Sequence, residues 1–416
     1  MTPTGAEASR GLGAPPLVEP RATLVPAEET GARLRGLQAV LAGAGLDAAV
    51  IVQNADLYYY SGTIQASYLY VPVAGEATLF VRKLAARARL ESPLEAVVEL
   101  AGLRELPGQI GARYGAPPRR VGLELDVLPV AHFRRLEKLF PEAAFTDLGR
   151  DIVRQRAVKS PWEVERIRAA AGIAVEVDRL IPGLLREGLS EAEFAGLVEA
   201  EARRLGHEGI IRMRGFNQEM FYGQLLSGVS GWAASYLDTP LAGTGLSPAV
   251  GQGVSYKPIR RGEQVVFDFV PVREGYIADF TRIFSLGEPV PALRRAYAAA
   301  LRIQADVAAA ARPGVSCRAL YELALAGAAD EGLAESFMGH GAAQVRFIGH
   351  GVGLELDELP VLAGSDLELA EGMVFALEPK FVLPGLGAIG IENTWLVTAA
   401  GLTVLTEAPE HIRVVG

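Results

Sequence analysis

The sequence predicts a two-domain protein in which an α/β domain precedes an α+β domain. Over residues 25–155, short apolar strands alternate with helical segments, which is typical of α/β domains. Over residues 156–416, pairs of helices are each followed by strands rich in β-branched and aromatic residues, which indicates two related halves about a central sheet. Residues 1–24 are rich in glycine, proline and alanine, and we expect them to form a disordered tail.

Hydrophobic spacing predicts the elements of the first domain. Leu34, Leu37 and Leu41 share one face at helical spacing, so a helix is expected from Pro26 to about Ala44. Further elements are expected as strands over 47–52, 67–73, 77–81, 120–125 and 144–148 and as a helix over 129–140. Together they make a domain of ordinary size.

Two capping boxes predict where the helices of the second domain begin. Ser160-Pro161-Trp162-Glu163 combines an N-cap serine, a proline at the first helical position and a glutamate that closes the box. Ser190 and Glu193 repeat the pattern thirty residues later. The helices that follow are expected over 160–185, 190–206, 291–311 and 316–331.

Composition excludes several classes of function. Half of the residues are apolar, so a large core can be buried, and the net charge is −9. Because no basic stripe is evident, we expect no nucleic-acid partner. The single cysteine, Cys317, excludes a disulfide framework and fits a reducing compartment, and we expect it to be a small core residue at the start of a helix.

The sequence shows neither a secretory signal nor a membrane span. No apolar h-region follows a basic n-region, and no apolar run is long enough to cross a bilayer. We therefore expect a soluble cytoplasmic protein without a membrane partner.

Residues 264–286 predict a β-hairpin that carries two acidic residues. Two β-rich runs flank the polar tip Arg273-Glu274-Gly275, and Asp268 and Asp279 each interrupt one of these apolar runs. An unpaired buried carboxylate is costly, so two of them on adjacent strands call for a shared cation or strong donors. The alternative is that one faces solvent and the other caps a turn.

Three more candidate metal ligands lie in apolar contexts further along the chain. These are His350, Glu378 and Glu392. Four carboxylates and one imidazole suit Mn²⁺, Co²⁺ or Fe²⁺, with Zn²⁺ possible, and do not suit a thiolate structural zinc. Five ligands exceed what one ion with an open position needs, so two divalent ions sharing bridging carboxylates and a water are expected, with Mn²⁺ favoured.

The order Asp, Asp-x-Thr-Arg, Gly-His-Gly-x-Gly, Glu-Pro, Ile-Glu resembles the pita-bread metallopeptidase family over about residues 30–412. This family includes Xaa-Pro aminopeptidases, prolidases, methionine aminopeptidases and creatinase. The resemblance implies a pita-bread catalytic domain behind a creatinase-type N-terminal domain. It also implies a homodimer and a metal-dependent enzyme that hydrolyses an N-terminal bond of a short peptide, of Xaa-Pro aminopeptidase or dipeptidase type.

The resemblance also implies a role for each candidate residue. Asp268, Asp279, His350, Glu378 and Glu392 would be the ligands of a dinuclear centre. Glu378 would in addition pass a proton from the water that becomes the metal-bridging hydroxide to the leaving nitrogen.

The chain departs from the family pattern at four places near this centre. No histidine follows Ser227-Gly228, and Asp357 stands where a Val-His-Glu run usually carries a histidine. Arg346 replaces a histidine four residues before His350, and Gly390 replaces an arginine that often precedes the last ligand. These changes leave a preference for proline open.

Asp357 and Arg346 are candidate substrate-binding residues. Asp357 could bind a substrate ammonium, because an ionised aspartate only accepts hydrogen bonds. Arg346 could bind a substrate carboxylate through two parallel hydrogen bonds. A surface ion pair of these residues with each other or with Glu358 is the alternative.

Other functions on the same scaffold remain to be weighed. A non-peptide enzyme, either an amide hydrolase or a lyase, is the alternative to a peptidase. Creatinase-like hydrolases lack the metal ligands that this chain keeps, and the lyase of this fold has an extra aspartate where this chain has Val270. A binding module without catalysis ranks last, since all five ligands are present.

Overall fold

The computed structural model describes residues 18–19 and 22–416. These residues form two compact units, which are divided between Asp151 and Ile152. Most of the predicted tail, residues 1–24, lies outside the described residues, and the predicted domain limits stay predictions. Within the described part, none of the helices is long and apolar enough to cross a bilayer.

The described part of the first unit is built on one mixed β-sheet. Its strands lie in the order β4-β3-β2-β1-β5-β6, and β1 pairs antiparallel with β2 but parallel with β5. The strands are β1 Ala48–Ile51, β2 Ser67–Pro72, β3 Thr78–Val81, β4 Val97–Glu99, β5 Arg120–Leu123 and β6 Ala144–Asp147. The helices are α1 Ala27–Gly43, α2 Asn54–Ser61, α3 Ala85–Glu91, α4 Leu106–Tyr114 and α5 Val130–Leu139. The predicted α/β class of this unit is confirmed.

Four of these elements were not predicted from the sequence. They are α2, α3, α4 and the short strand β4. The residue before α3, Leu84, has a left-handed backbone with φ of 56°, a conformation that apolar residues seldom adopt. Helix α4 contains Gly108 and Gly111, which lower its intrinsic helix propensity.

In the second unit, the helices begin where the capping boxes predicted. Ser160 Oγ accepts a hydrogen bond from the Glu163 N–H at 3.2 Å, and the Glu163 carboxylate accepts one from the Ser160 N–H at 3.1 Å. Ser190 and Glu193 form the same reciprocal pair. A further helix, α6 Gly149–Ala157, leads into the unit, followed by α7 Pro161–Leu184, α8 Glu191–Arg204, α9 Pro291–Ala310 and α10 Cys317–Asp330.

Two four-stranded sheets, each with its own pair of helices, form the second unit. The sheet β18-β11-β8-β7 shares a core with α7 and α8, and α9 and α10 share a core with strands β13 to β16. The strands are β7 Gly223–Ser227, β8 Gln264–Phe269, β9 Val272–Arg273, β10 Tyr276–Ile277, β11 Phe280–Leu286, β12 Gly349–Gly351, β13 Val374–Leu377, β14 Lys380–Leu383, β15 Gly387–Gly390, β16 Asn393–Thr398, β17 Gly401–Val404 and β18 Arg413–Val415. The second sheet has the order β12-β13-β16-β17, and β9-β10 and β14-β15 are two-stranded ribbons. The predicted duplicated α+β arrangement is confirmed.

Cys317 is the first residue of α10 and is fully buried in the core of the unit. Burial raises the pKa of its thiol to about 11. The prediction of a small core residue at a helix start is therefore confirmed, and a thiol with so high a pKa is a poor nucleophile at neutral pH.

Candidate metal centre

All five predicted metal ligands line one small cavity of about 60 Å³ in the second unit. Each comes from a different point of the strands: Asp268 from β8, Asp279 just before β11, His350 from β12, Glu378 just after β13 and Glu392 just before β16. Their side chains are between 1% and 11% exposed. The sequence-based expectation that they converge agrees with this geometry, while their roles as ligands stay a proposal.

Strand pairing explains how residues so distant in sequence meet. Strand β11 lies antiparallel to β8, which sets Thr281 opposite Asp268 and confirms the predicted hairpin. Asp279 is two residues before Thr281, so it lies on the same face of the extended chain. Thr281 also forms a β-bridge with Glu392, which brings a residue from beside the second sheet next to the hairpin.

The hydrogen bonds of His350 leave one ring nitrogen facing the carboxylates. Its Nδ1 lies 3.1 Å from the carbonyl oxygen of Leu356, and because a carbonyl only accepts, we assign the proton to Nδ1. Nε2 then points its lone pair toward Asp279 Oδ2 at 3.7 Å and Glu378 Oε1 at 3.6 Å. A ring nitrogen held this way is arranged to bind a metal ion.

One carboxylate oxygen of Glu392 accepts hydrogen bonds, whereas the other has no donor among the described residues. Oε2 accepts hydrogen bonds from Thr281 Oγ1 at 2.8 Å and from Lys380 Nζ at 2.7 Å. Oε1 is buried, and no described residue donates to it. A buried carboxylate oxygen without a donor is costly, and a bound cation would remove that cost.

The residues present fit one divalent ion. Ligand atoms of Asp279, His350 and Glu392 all lie within 4.8 Å of one another. Two ligands that bind the same ion at about 2.1 Å lie roughly 3–4 Å apart, which the His350–Asp279 and His350–Glu378 distances already match.

Lys380 is a member of the centre to which the sequence analysis assigned no role. Its Nζ lies 2.9 Å from Asp268 Oδ2, 2.7 Å from Glu378 Oε2 and 2.7 Å from Glu392 Oε2. The side chain is only 2% exposed. Three of the five candidate ligands therefore already face a positive charge.

Burial and the neighbouring charges shift the pKa values within the cluster. Burial raises the pKa of Asp279 far above its usual range, and the nearby charges of Glu392 and Asp268 add to this shift. Burial also raises the pKa of Asp268. For Lys380, burial lowers the pKa but the carboxylates Asp268, Glu378 and Glu392 outweigh it, so the net pKa lies well above the usual value. A second cation beside Lys380 would reduce the repulsion among these carboxylates.

Asp357 and Arg346, the candidate substrate-binding residues, are placed differently. Asp357 lines the cavity with a side chain that is 38% exposed, and its Oδ1 lies 4.0 Å from His350 Nδ1. Arg346 is exposed and does not line the cavity. Among the described residues, no ion pair joins it to Asp357.

Glu358 is engaged elsewhere, in a buried ion-pair network behind the cavity. Its carboxylate pairs with Arg156 and with Lys159, and Lys159 Nζ lies 2.9 Å away. It also accepts hydrogen bonds from the backbone N–H groups of Leu354 and Glu355, which fixes the turn after His350. The alternative of a surface pair between Glu358 and Arg346 is therefore not observed.

A second, larger cavity adjoins the candidate centre. It has a volume of about 380 Å³ and shares Met220, Gln224 and Asp268 with the small cavity. Its other walls are mainly apolar and include Phe221, Tyr222, Tyr236, Leu246, Val250 and Phe267. Apolar space next to a polar centre is a usual feature of ligand sites.

Comparison with known families matches both units. The model of metallopeptidase family M24 matches residues 165–399, which include all five candidate ligands. This chain belongs to metallopeptidase family M24. The model of the creatinase/prolidase N-terminal domain matches residues 33–158. The resemblance inferred from the sequence motifs is thereby confirmed, and the chain is a metallopeptidase for which the family implies divalent metal ions.

Several relatives of this M24 chain are named as dipeptidases. It is 29% identical to a Xaa-Pro dipeptidase of Pyrococcus horikoshii over 88% of this chain and 94% of that protein. It is also 29% identical to a probable dipeptidase, PepE, of Mycobacterium tuberculosis over 94% of this chain and 97% of that protein. The solved structure of a Xaa-Pro dipeptidase from Bacillus anthracis superposes with a TM-score of 0.79 at 25% identity, covering 92% of this chain and 99% of that one. These matches confirm the predicted pita-bread fold class.

Proposed function

We propose that this M24 metallopeptidase is a Xaa-Pro dipeptidase that works with a divalent ion held by Asp279, His350 and Glu392. The observation that carries the proposal is the convergence of these ligand atoms within 4.8 Å, beside a buried carboxylate oxygen to which no described residue donates. Two relatives that match over 88% and 94% of this chain are named as dipeptidases, which supports a short peptide as the substrate.

Glu378 is the proposed proton carrier. A bound divalent ion polarises a scissile carbonyl and lowers the pKa of a nearby water. Glu378 Oε1 faces His350 Nε2 at 3.6 Å, and its Oε2 accepts a hydrogen bond from Lys380 Nζ at 2.7 Å. This hydrogen bond fixes the orientation of the carboxylate at the edge of the cavity, where it can take a proton from water and pass it to the leaving nitrogen.

Asp357 is the proposed acceptor for the substrate's terminal ammonium. It lines the cavity, is 38% exposed and lies on the turn that follows His350. Arg346 is proposed to bind the substrate's carboxylate, and its exposed position leaves its guanidinium accessible to a substrate. The apolar walls of the larger cavity could receive a substrate side chain.

Further expectations from the sequence remain proposals. The oxygen-rich donor set supports Mn²⁺ as the favoured metal, with Co²⁺, Fe²⁺ or Zn²⁺ as alternatives. The expectation of two ions must be weighed against Lys380, which already faces three of the five ligands. We also propose a homodimer, from the family resemblance, and a cytoplasmic location, supported by the single buried cysteine. No nucleic-acid partner is proposed.

The decisive test is hydrolysis after removal and return of metal. The protein is stripped with a chelator and assayed on a panel of Xaa-Pro and Xaa-Xaa dipeptides with Mn²⁺ or Co²⁺ added. We expect Xaa-Pro hydrolysis to return with metal. Glu378→Gln should lower kcat by roughly 10²–10⁴-fold, the range for a general acid-base group, while metal stays bound. Glu142→Gln, an exposed change in the first unit, is the matched control. Absence of turnover on the whole panel with metal loaded would refute the proposal.

A further inference from the structure

We propose that the Lys380 ammonium permanently takes the place of one of the two cations, so that the centre binds a single divalent ion. The inference rests on the proposed function, since it assumes that the remaining ligands bind a metal. In place of two metal ions, the centre would then hold one metal ion and the ammonium of Lys380.

The hydrogen bonding of the ammonium is complete. A lysine ammonium has three N–H donors, and Nζ faces three carboxylate oxygens at 2.7 to 2.9 Å, one each from Asp268, Glu378 and Glu392. A divalent ion bound to the same three oxygens would lie about 2.0–2.2 Å from each of them. That position falls inside the space the ammonium fills, so the two cannot occupy it together.

The surroundings of Lys380 hold its side chain in place. Its backbone belongs to β14, where Lys380 pairs with Gly390 of β15. A Cβ atom at position 390 would lie 2.5 Å from Lys380 Cγ, so only a glycine leaves room for the lysine stem. The side chain is 2% exposed, and leaving the centre would break three charge-assisted hydrogen bonds inside the protein.

Two glutamates divide their oxygens between the ammonium and the proposed ion. Glu378 directs Oε2 to Lys380 and Oε1 toward His350. Glu392 directs Oε2 to Lys380 and leaves Oε1 without a donor among the described residues. Both carboxylates therefore bridge two cation positions. Lys380 fills the position beside Asp268, and the position beside Asp279 and His350 is left for the metal ion.

The charge of Lys380 opposes a second divalent ion in the centre. When ionised, the carboxylates of Asp268, Asp279, Glu378 and Glu392 contribute four negative charges, and Lys380 contributes one positive charge. One divalent ion leaves a net charge of −1, whereas two would give +1 and place a dication next to a fixed ammonium. Like charges at such close range in a buried site repel strongly.

Metal counting tests the proposal without relying on activity. Stripped protein is reloaded with Mn²⁺, freed of unbound metal and analysed by elemental analysis and electron paramagnetic resonance. We expect about one ion per chain with the spectrum of an isolated Mn²⁺, and about two per chain with spin coupling in Lys380→Ala, where the second position becomes free. Lys138→Ala, which removes an exposed lysine of the first unit, should keep the wild-type count.

The possible results separate the two proposals. Two ions in the wild-type protein would overturn the inference and leave the proposed function standing. No bound ion in the wild type would overturn the proposed function and this inference with it. A single ion in both the wild type and Lys380→Ala would show that the ammonium is not what excludes the second ion. Because the wild-type count is informative by itself, the inference stays falsifiable even if Lys380→Ala fails to fold.

Discussion

Asp357 differs from the four candidate ligand carboxylates, because its side chain is substantially exposed. The four candidate ligand carboxylates are at most 11% exposed, whereas Asp357 is 38% exposed on the same cavity. A residue that is accessible at the mouth of a site can meet the substrate without being tied to the metal.

Replacing Asp357 should weaken the binding of substrates with a free amino group. Asp357→Asn keeps the size of the side chain but removes the charge, and a charge-assisted hydrogen bond contributes about 1.5–3 kcal/mol. We expect the KM for Xaa-Pro dipeptides to rise by roughly 10- to 100-fold with little change in kcat. Steady-state kinetics beside the exposed control Asp366→Asn would measure this. An unchanged KM would remove Asp357 from substrate binding.

Replacing Arg346 should affect how the carboxylate end of the substrate is bound. Arg346→Ala should raise the KM for dipeptides with a free carboxylate by about 10-fold but leave the KM for their C-terminal amides unchanged, because only the carboxylate accepts the paired hydrogen bonds. Kinetics on each substrate pair would decide. An equal effect on both substrates, or none, would mean that Arg346 does not recognise the carboxylate.

At the scale of elements, the starts of α7 and α8 were predicted reliably from their capping boxes. The Ser190 hydroxyl accepts a hydrogen bond from the Glu193 N–H, and the Glu193 carboxylate accepts one from the Ser190 N–H. This local signal sets where α8 begins. Ser190→Ala should lower the free energy of unfolding by about 1 kcal/mol, since it leaves one N–H of the first turn without its partner. Denaturant unfolding would measure the loss. Ser190→Thr, which retains the hydroxyl, should remain near the wild type, and equal losses in both variants would contradict the capping account.

The role of Lys380 could not be recognised from an inventory of possible metal ligands, since a lysine is not one of the usual ligand types. The available signal was spacing, because Glu378 and Lys380 are two residues apart in extended chain and so lie on one face. Its other neighbours depend on strand pairing: Gly390 lies opposite it on β15, and Asp268 reaches it from β8. Such contacts follow from tertiary structure, which local sequence patterns do not encode.

In the first unit, too, some secondary-structure elements could not be predicted from the sequence. Helix α4 was missed because its glycines weaken the local helix signal, and packing of Leu106 and Ile110 into the core supplies the stability instead. The strands β1, β2, β3, β5 and β6 were predicted from the sequence, and β1 is a continuous run of apolar residues. The sequence could not assign segments whose secondary structure depends on packing rather than on local propensity.

At the scale of the whole second unit, the buried network around Glu358 links the start of the unit to the turn beside the centre. Burial raises the pKa of Glu358, but Arg156 and Lys159 outweigh it and lower the pKa to about 2. Because the folded pKa lies below the ordinary value of 4.5, this carboxylate stabilises the fold above about pH 4.5 and loses that contribution as the pH falls toward 2.

Removing the charge of Glu358 should therefore change how stability depends on pH. Glu358→Gln leaves the buried Lys159 without its carboxylate partner and Arg156 with Glu355 as its remaining carboxylate in this network, and it should cost about 3–5 kcal/mol at neutral pH. The difference from the wild type should shrink as the pH falls from 4.5 toward 2, because the wild type loses the same contribution there. Chemical denaturation at several pH values would follow this, with Glu142→Gln as the exposed control. A difference that does not change with pH would contradict the assigned pKa.

The central claim is that a divalent ion binds among Asp279, His350 and Glu392 in this M24 chain. The most direct measurement is an anomalous difference map from crystals of the Mn²⁺-loaded protein, collected at the manganese absorption edge. We predict one strong peak bonded to His350 Nε2 and to oxygens of Asp279 and Glu392, with Lys380 still against Asp268. A map with no peak in this group, or with its strongest peak elsewhere, would contradict the account.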